Sequence, residues 1–434
     1  MNATTLEPMR NNSSLSKRLE KCQEPSVATS DTIADFDTAP DGGVQAWLVA
    51  AGGSSIFFSC LGFANAFGTF QQYYKSHQLS ERSEDQIAWI GSLSLFLTFL
   101  VGAIGGPLFD RYGAWMMRPA AVLYILAVMM TSLCTKYWHF MLAQGILPGI
   151  CSGLLQFPAM TAVSHWFDKK RAAALGVVVA GSSLGGVVVP IALSKMLNGS
   201  SLGFAWSVRI IGFLIMPFLL FSCFAVKPRL PPRRTNFFIG GAFKDKAYTL
   251  LIVSMFFMFL GMFTPLFFIP TYAVSRGIDP TLASYLLAIL NGASTFGRII
   301  PGVLADVYGR LNMFAFAGLS TGIVVLCMTA ARSTPGLVVY AIIFGFTSGA
   351  IISGASAAFS VTVKDIRKMG TYMGMGMGVA SLAALMGPPV NGAIVHKYGG
   401  FLEVTIFSGI MSLVGGIAAL GAKAATPKGI LGNI

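Results

Sequence analysis

The sequence predicts an all-α membrane protein with 12 transmembrane helices, arranged as two six-helix bundles with both termini in the cytoplasm. Composition is the first observation that predicts this class. Of the 434 residues, 54% are hydrophobic and only 11% are charged, whereas soluble globular domains carry about 25% charged residues. The second observation is that the apolar residues are gathered into segments of about 20 residues, the length that crosses the core of a bilayer.

Twelve such segments follow a polar N-terminal region. They cover roughly residues 46–70, 86–108, 116–135, 140–163, 172–194, 206–226, 248–271, 282–304, 313–331, 335–360, 369–391 and 402–422. The longest polar break separates six segments from six. We therefore predict an N-terminal bundle over 46–226, a basic cytoplasmic loop over 227–247, a C-terminal bundle over 248–425 and a cytoplasmic tail over 426–434.

The N-terminal region, residues 1–45, is rich in Asn, Ser, Thr, Lys and Glu and shows no apolar periodicity. This composition predicts a disordered cytoplasmic tail. The tail lacks the apolar core and small-residue cleavage site of a secretory signal peptide, so we expect the first span to direct insertion. The triplet Asn198-Gly199-Ser200 is predicted on the outer side, which makes Asn198 a candidate glycosylation site.

Lys and Arg are distributed unevenly between alternate loops. The loops on the side of the N-terminal tail carry roughly three times as many of these cations as the loops on the other side. Cytoplasmic loops of membrane proteins are enriched in Lys and Arg, so this bias predicts cytoplasmic termini. The net charge of +13 is therefore interpreted as a topology signal, and no nucleic-acid partner is expected, because that needs a basic stripe on a folded surface.

Two loop motifs recur in both halves of the chain. The pattern Gly-x-x-x-Asp-x-Tyr-Gly occurs at 106–113 and again at 302–309, an offset of 196 residues. The charged sequences at 168–171 and 365–368 repeat with nearly the same offset. Matching loops at equal spacing indicate a duplicated six-span unit, a plan that transporters use to build a site at the bilayer midplane between the repeats.

The first motif also supplies candidate gating residues: Asp110, Arg111, Asp306 and Arg310. An aspartate at the cytoplasmic end of a span can pair with an arginine or with a neighbouring helix N-terminus. Such pairs must break when the two halves rock, so they can hold one conformation closed. The alternative is that these residues only mark topology and end helices.

Arg298 is the strongest candidate for a substrate-binding residue, because it lies deep inside the eighth apolar segment. A charged residue in a span usually faces a protein interior or a watery cavity and marks a functional site. Asn291, Ser294, Arg298 and Gly302 recur at steps of three and four, which places them on one helical face. The alternative is that Arg298 snorkels to the cytoplasmic surface and anchors the helix.

Other polar residues in the apolar segments are secondary candidates for lining a substrate path, and a helix–helix hydrogen bond is the alternative role for each. They are Asn65, Thr69, Gln156, Tyr272 and Asn391, in addition to Asn291 and Ser294.

The loops and their flanks resemble a known family. Asp41-Gly42-Gly43-Val44-Gln45-Ala46-Trp47, and Trp166-Phe167-Asp168-Lys169-Lys170-Arg171-Ala172 continuing to Gly185, are similar to the signatures of monocarboxylate transporters in the major facilitator superfamily. The resemblance is closest to the fungal monocarboxylate-porter-like branch. It implies two six-helix bundles around a central cavity, alternating access, and an arginine of span 8, here Arg298, that meets the substrate carboxylate.

Two positions depart from that family. Animal lactate carriers place an aspartate one turn before the arginine and a lysine late in span 1, where this chain has Ser294 and Thr69. Proton coupling by that route is therefore not expected, and the proton stays open as a partner. The resemblance then implies cargo larger than lactate, such as an acidic secondary metabolite, with export as one direction.

The sequence thus predicts a secondary transporter of an organic anion in contact with membrane lipid. No nucleotide loop or metal-ligand cluster is present, so we expect neither a cofactor nor an enzyme. An efflux carrier of a less acidic metabolite, an uncoupled facilitator or channel, and a transporter-like sensor are the alternatives. The plasma membrane is the expected location, with the vacuolar or another internal membrane as the alternative.

Overall fold

The computed structural model describes residues 39–82, 84–230, 238–363, 368–427 and 429. Every regular element in these ranges is helical. The long helices are α1 (Val44–Ser76), α2 (Glu84–Tyr112), α3 (Met117–Thr131), α4 (Tyr137–Trp166), α5 (Arg171–Gly199), α6 (Gly203–Ala225), α7 (Lys246–Ser275), α8 (Pro280–Tyr308), α9 (Arg310–Leu326), α10 (Thr334–Thr362), α11 (Met369–Tyr398) and α12 (Leu402–Ala424). Short 3₁₀ turns lie at Gly113–Met116, Gly240–Lys244 and Met328–Ala330.

By length and composition, the described part of the chain contains 11 helical stretches that could cross a membrane. The number differs from the predicted 12 because α2 and α3 run together through the turn Gly113–Met116 as one 46-residue stretch. Gly113 has a φ of 63°, a left-handed conformation that glycine adopts without strain and that ends α2. The count of 12 spans and the cytoplasmic position of both termini stay predictions.

Local sequence explains where several helices begin, end or change geometry. Asp245 caps α7 by accepting a hydrogen bond from the backbone N–H of Ala247 at 2.9 Å, and Ser333 caps α10 through Gly336. α1 is interrupted at Ala66, between Val44–Asn65 and Phe67–Ser76. α4 contains a π-helical turn at Met141–Ile146, a feature often found at functional sites.

Glycines allow neighbouring helices to approach closely. A Cβ atom on Gly185 would lie 2.8 Å from the Cα of Gly62, so α1 and α5 touch through backbone there. A Cβ on Gly374 would lie 2.8 Å from the Cα of Ala103, which brings α11 against α2. Van der Waals contact can therefore hold these helices together where lipid supplies no hydrophobic driving force.

Helices from the first and last six pack against each other in two main pairs, α5 with α8 and α2 with α11. Residues Pro40–Ile434 form one compact unit by their contacts. The predicted division into bundles at 46–226 and 248–425 stays a prediction. Residues 1–38 of the predicted tail, 231–237 of the basic loop and most of the tail after 427 lie outside the described residues.

Candidate functional site

A central cavity lies between the helices and encloses roughly 1790 Å³ of non-protein space, including the part that opens to solvent. Its upper end is lined by Phe67, Gly68 and Gln71 of α1, and by Pro270 of α7. These residues lie near the ends of α1 and α7 that the predicted topology places on the outer side of the membrane. Its lower end reaches Arg298 of α8.

The lining is mainly apolar and rich in aromatic rings. Eight phenylalanines and three methionines contribute to it: Phe57, Phe63, Phe67, Phe99, Phe157, Phe259, Phe263, Phe267, Met160, Met262 and Met377. The flexible, polarisable methionine side chains favour contact with aromatic groups of different shapes. Among the lining residues, Arg298 is the one with a formal charge, and none is Asp, Glu, His or Lys.

Arg298 points into the protein and is only 5% exposed. One guanidinium nitrogen, Nη1, donates a hydrogen bond to the backbone oxygen of Val179 at 2.8 Å and another to the hydroxyl of Ser182, both on α5. The side chain therefore bridges α8 to α5 and does not reach the surface, which excludes the snorkelling alternative in this structure. Both partners are neutral, and no ion pair of Arg298 is found among the described residues.

Oxygen atoms of Val179, Ser182 and Gly186 on α5, here called the polar seam, accept hydrogen bonds from three of the predicted site residues. Asn65 of α1 donates to the backbone oxygen of Ser182 at 3.4 Å, and Asn291 of α8 donates to the backbone oxygen of Gly186 at 3.5 Å. A Cβ on Gly186 would lie 2.7 Å from Asn65 Nδ2 and 3.0 Å from Asn291 Cγ, so a side chain at this position would displace the two amides. The seam fixes Asn65, Asn291 and Arg298 along one side of the cavity.

Two donors of the lining have no partner. Among the buried polar atoms of the described lining residues, those without a hydrogen bond are Gln156 Nε2 and Arg298 Nε. Gln156 is 3% exposed and lies on α4. An unsatisfied buried donor costs about 1–3 kcal/mol, which a ligand that accepts hydrogen bonds would recover. The cavity therefore suits a molecule with acceptor oxygens.

The remaining predicted substrate-binding residues do not line the cavity. Tyr272 donates its hydroxyl to backbone oxygens after α9, and Asn391 bonds to Thr264 and Ser408, joining α11 to α7 and α12. Ser294 packs against Gly349 of α10, and Thr69 is half-buried beside the cavity. The structure gives Tyr272, Asn391 and Ser294 helix-packing contacts, and the ligand roles of all four residues stay untested predictions. The side chain of Asn198 lies outside the described residues, and its glycosylation also stays a prediction.

At the opposite end from the opening, α8 and α9 are joined to the start of α5. The two carboxylate oxygens of Asp306 accept hydrogen bonds from the backbone N–H groups of Ala172 and Ala173 at 3.2 and 2.9 Å. Arg310 forms an ion pair with Asp306 at 3.2 Å and donates to the backbone oxygen of Asp168 at 2.5 Å. A carboxylate at a helix N-terminus is favoured by the free N–H groups and the helix dipole.

Asp41 supports this arrangement from the other side of the same loop. Its carboxylate accepts hydrogen bonds from the backbone N–H groups of Asp168 at 2.6 Å and Lys170 at 3.3 Å. Its own N–H donates to the backbone oxygen of Trp166 at 3.2 Å. Asp41 has a φ of 52°, a left-handed conformation that Asp tolerates better than most residues. We call Asp41, Asp168, Ala172, Ala173, Asp306 and Arg310 the closed-end cluster.

The matching loop after α2 brings its backbone against the start of α11. A Cβ on Gly106 would overlap the carbonyl group of Gly370 at the start of α11. Asp110 is buried, with 6% of its surface exposed. Arg111 is exposed and lies 5.9 Å above the ring of its neighbour Tyr112. The gating roles of Asp110, Arg111, Asp306 and Arg310 stay predictions.

Sequence reasoning did not single out two residues that the structure makes important. Ser182 is the hydroxyl partner of Arg298, and its signal was a polar residue in the middle of an apolar, glycine-rich helix. Asp41 was noticed only as part of a motif. Its signal was an acidic residue followed by two glycines directly before a helix.

The sequence matches a known protein family. The family model described as Major Facilitator Superfamily matches residues 52–334 and 251–433. The chain belongs to the major facilitator superfamily. It is therefore a multi-pass membrane transporter of that superfamily and not an enzyme.

Relatives with significant similarity include named efflux proteins of fungi. The chain is 47% identical over 404 residues to the aspyridones efflux protein apdF of Emericella nidulans, covering 93% of this chain and 83% of the relative. It is 37% identical over 413 residues to the agnestins efflux protein AgnL12 of Paecilomyces divaricatus, with 94% of each chain covered. The monocarboxylate-porter branch is not confirmed by these matches.

Solved structures show the same fold at low identity. The human organic anion transporter MFSD10 (TETRAN) superimposes with a TM-score of 0.69 at 14% identity, over 87% of this chain and all of that one. FucP, in the outward conformation, superimposes with a TM-score of 0.67 at 16% identity, over 87% of this chain and 98% of that one. The predicted superfamily fold is confirmed.

Proposed function

We propose that this transporter exports an acidic secondary metabolite by alternating access, with Arg298 binding the acidic group. The observation that carries the proposal is the single cation at the inner end of the cavity, bonded only to neutral groups and retaining one unpartnered donor. A buried positive charge without a counter-ion favours an anionic ligand. The resemblance to monocarboxylate porters supports a carboxylate as that ligand.

The direction of transport is inferred from the relatives. Two fungal proteins that cover nearly all of this chain are named as efflux proteins. Export from the cytoplasm of the producing cell, with the plasma membrane as location, fits that naming. A proton as coupling partner would need a titratable group in the path, and the described lining residues include no carboxylate or histidine.

The closed-end cluster supports alternating access over an open channel. The cavity opens at one end, while Asp306 and Arg310 join α8 and α9 to α5 at the other. We propose that these contacts hold the predicted cytoplasmic end shut and break when the helices move to the opposite conformation. In the matching loop after α2, Gly106 and the buried Asp110 would hold α2 against α11 in the same closed conformation.

Comparative metabolite profiling tests the proposal. Cells with and without the transporter are compared for metabolites inside and outside, first with the unsubstituted chain and then with Arg298→Ala. The variant should lower export of an acidic metabolite on the order of a hundredfold, because a charge-assisted contact is lost. Arg209→Ala is the matched control, since Arg209 also lies in an apolar helix but contacts Ser132 and Trp206 away from the cavity.

The outcomes separate the alternatives. Unchanged export by Arg298→Ala at normal membrane expression removes Arg298 from the mechanism. Export of a neutral metabolite by the unsubstituted chain, with no transporter-dependent export of acidic ones, supports the second candidate, a carrier of less acidic compounds that the apolar lining favours. Flux that neither saturates nor shows counterflow identifies a facilitator or channel.

A further inference from the structure

Two cavity-lining side chains from opposite halves of the chain carry unpartnered donors. Gln156 precedes the end of α4 at Trp166 by ten residues, and Arg298 precedes the end of α8 at Tyr308 by ten residues. Ten residues of helix span about 15 Å. Both helices run towards the closed end, so Gln156 and Arg298 occupy equivalent positions along α4 and α8 when counted from their inner ends.

Near Gln156, α4 contacts α10, which is a neighbour of α8. Met160 lies one turn beyond Gln156, and its sulfur accepts a hydrogen bond from Ser356 of α10 at 3.7 Å. α10 in turn packs along α8. An acceptor group held between α4 and α8 would therefore contact both halves of the transporter at once.

The lining of the rest of the cavity indicates the chemistry of the remainder of the ligand. Phenylalanine rings from α1, α2 and α7 face the cavity, among them Phe63, Phe99 and Phe263. Phe99 lies 5.7 Å from Phe259 between ring centroids, so rings of α2 and α7 already contact each other. Aromatic pairs of this spacing contribute beyond the burial of apolar area. A small hydrophilic acid would leave these rings without contacts.

We propose that the cargo is a monovalent acid with a flat aromatic or conjugated body, and that its acidic group is held jointly by Arg298 and Gln156. This inference rests on the proposed function and extends it by a second binding residue and a substrate class. The acid supplies acceptor oxygens for the two donors, and the body packs among the phenylalanine rings. A dicarboxylate is disfavoured because the lining offers one formal charge.

Binding to the purified full-length protein in lipid nanodiscs tests the substrate class. The probes are 2-naphthoate, its neutral analogue 2-naphthamide with the same ring system, and acetate with the same head group. We expect 2-naphthoate to bind at least tenfold more tightly than 2-naphthamide and at least a hundredfold more tightly than acetate. Equal binding of acetate, or no binding of 2-naphthoate at millimolar concentration, overturns the class.

Variants test the second residue. Gln156→Leu should weaken 2-naphthoate binding about tenfold or more and leave 2-naphthamide binding within twofold, because one hydrogen bond to a charged group is lost. Gln156→Glu should weaken 2-naphthoate binding further by placing a like charge beside it. Gln72→Leu is the matched control, since Gln72 is exposed on α1 and does not line the cavity.

A double-mutant cycle decides whether both residues bind the same group. With Gln156→Leu and Arg298→Lys, the combined loss of 2-naphthoate affinity should differ from the product of the single losses by about threefold or more. If the Arg298 variants lose 2-naphthoate affinity and Gln156→Leu does not, the joint site is refuted and the proposed function still holds. No loss with Arg298 variants refutes the proposed function itself.

Discussion

The loops after α2 and α8 share a motif but close the molecule in different ways. After α8, Asp306 uses both carboxylate oxygens to cap α5, and Arg310 adds an ion pair and a backbone contact. After α2, the close contact is between the backbones of Gly106 and Gly370, and Arg111 faces outward. In both halves the motif therefore places a glycine against the first turn of a facing helix.

The approach distances support this interpretation. A Cβ on Gly302 would lie 2.9 Å from the oxygen of Ala172, and a Cβ on Gly106 would overlap Gly370 itself. Each glycine thus faces the first turn of the helix that begins after the charged loop, α5 or α11. The backbone approach is tighter at α11. Variants in both loops can show which side holds the end shut.

Asp306→Asn should have the largest effect on the closed end. It removes the charge that two backbone N–H groups and Arg310 bind, which costs on the order of 2–3 kcal/mol. Opening is measured with Ala357→Cys, because Ala357 is buried with Ala172 and Ala305 where α5, α8 and α10 meet. A membrane-impermeant maleimide is added on the side of the closed end. It should label the Ala357→Cys reporter at least tenfold faster in the Asp306→Asn variant than in the protein that carries Ala357→Cys alone. Arg111→Ala should leave labelling unchanged.

Gly106→Ala should have the second largest effect on the closed end, and this effect should be larger than that of Gly302→Ala. Both new methyl groups meet backbone, but the overlap with Gly370 is closer than the 2.9 Å approach of a Gly302 methyl group to the oxygen of Ala172. Overpacking of this kind costs about 1–3 kcal/mol. The melting temperature in nanodiscs should fall more for Gly106→Ala, and labelling of Ala357→Cys should rise. Equal effects of the two variants would show that the backbone approach at α11 is no tighter than that at α5.

Asp41→Ala should destabilise the α4–α5 loop by about 1–2 kcal/mol. It removes an acceptor for two backbone N–H groups and places alanine in a left-handed conformation. Asp41→Asn keeps an acceptor oxygen and tolerates that conformation, so it should retain most of the stability. Limited proteolysis of the loop reports the difference, and equal protection of the two variants would contradict the capping role.

Asp168→Asn should have the smallest effect, less than about 0.5 kcal/mol. Its carboxylate is 65% exposed in the pair with Arg171, and exposed pairs contribute little. Arg310 contacts the backbone oxygen of Asp168, which the substitution leaves in place. A large rise in labelling of Ala357→Cys would show that the carboxylate itself holds the end shut.

The helical membrane fold and the superfamily could be predicted because apolar segments of bilayer length and recurring loop motifs are encoded locally. The interior position of Arg298 followed from its depth in the eighth segment. The partners of that arginine could not be predicted, because Val179 and Ser182 are more than a hundred residues away in the chain. Tyr272 and Asn391 lie on α7 and α11, which also supply cavity-lining residues. That these two side chains point away from the cavity could not be predicted, because the rotation of each helix about its axis is set by packing against its neighbours.

The neutral partners of Arg298 have an electrical consequence. An empty transporter carries an uncompensated positive charge at the inner end of its cavity, whereas one loaded with a monoanion is neutral there. If this region crosses part of the membrane field during the cycle, the return of the empty form moves charge and the export step does not. One elementary charge across 100 mV is worth about 2.3 kcal/mol. Membrane voltage would then govern how quickly the carrier resets.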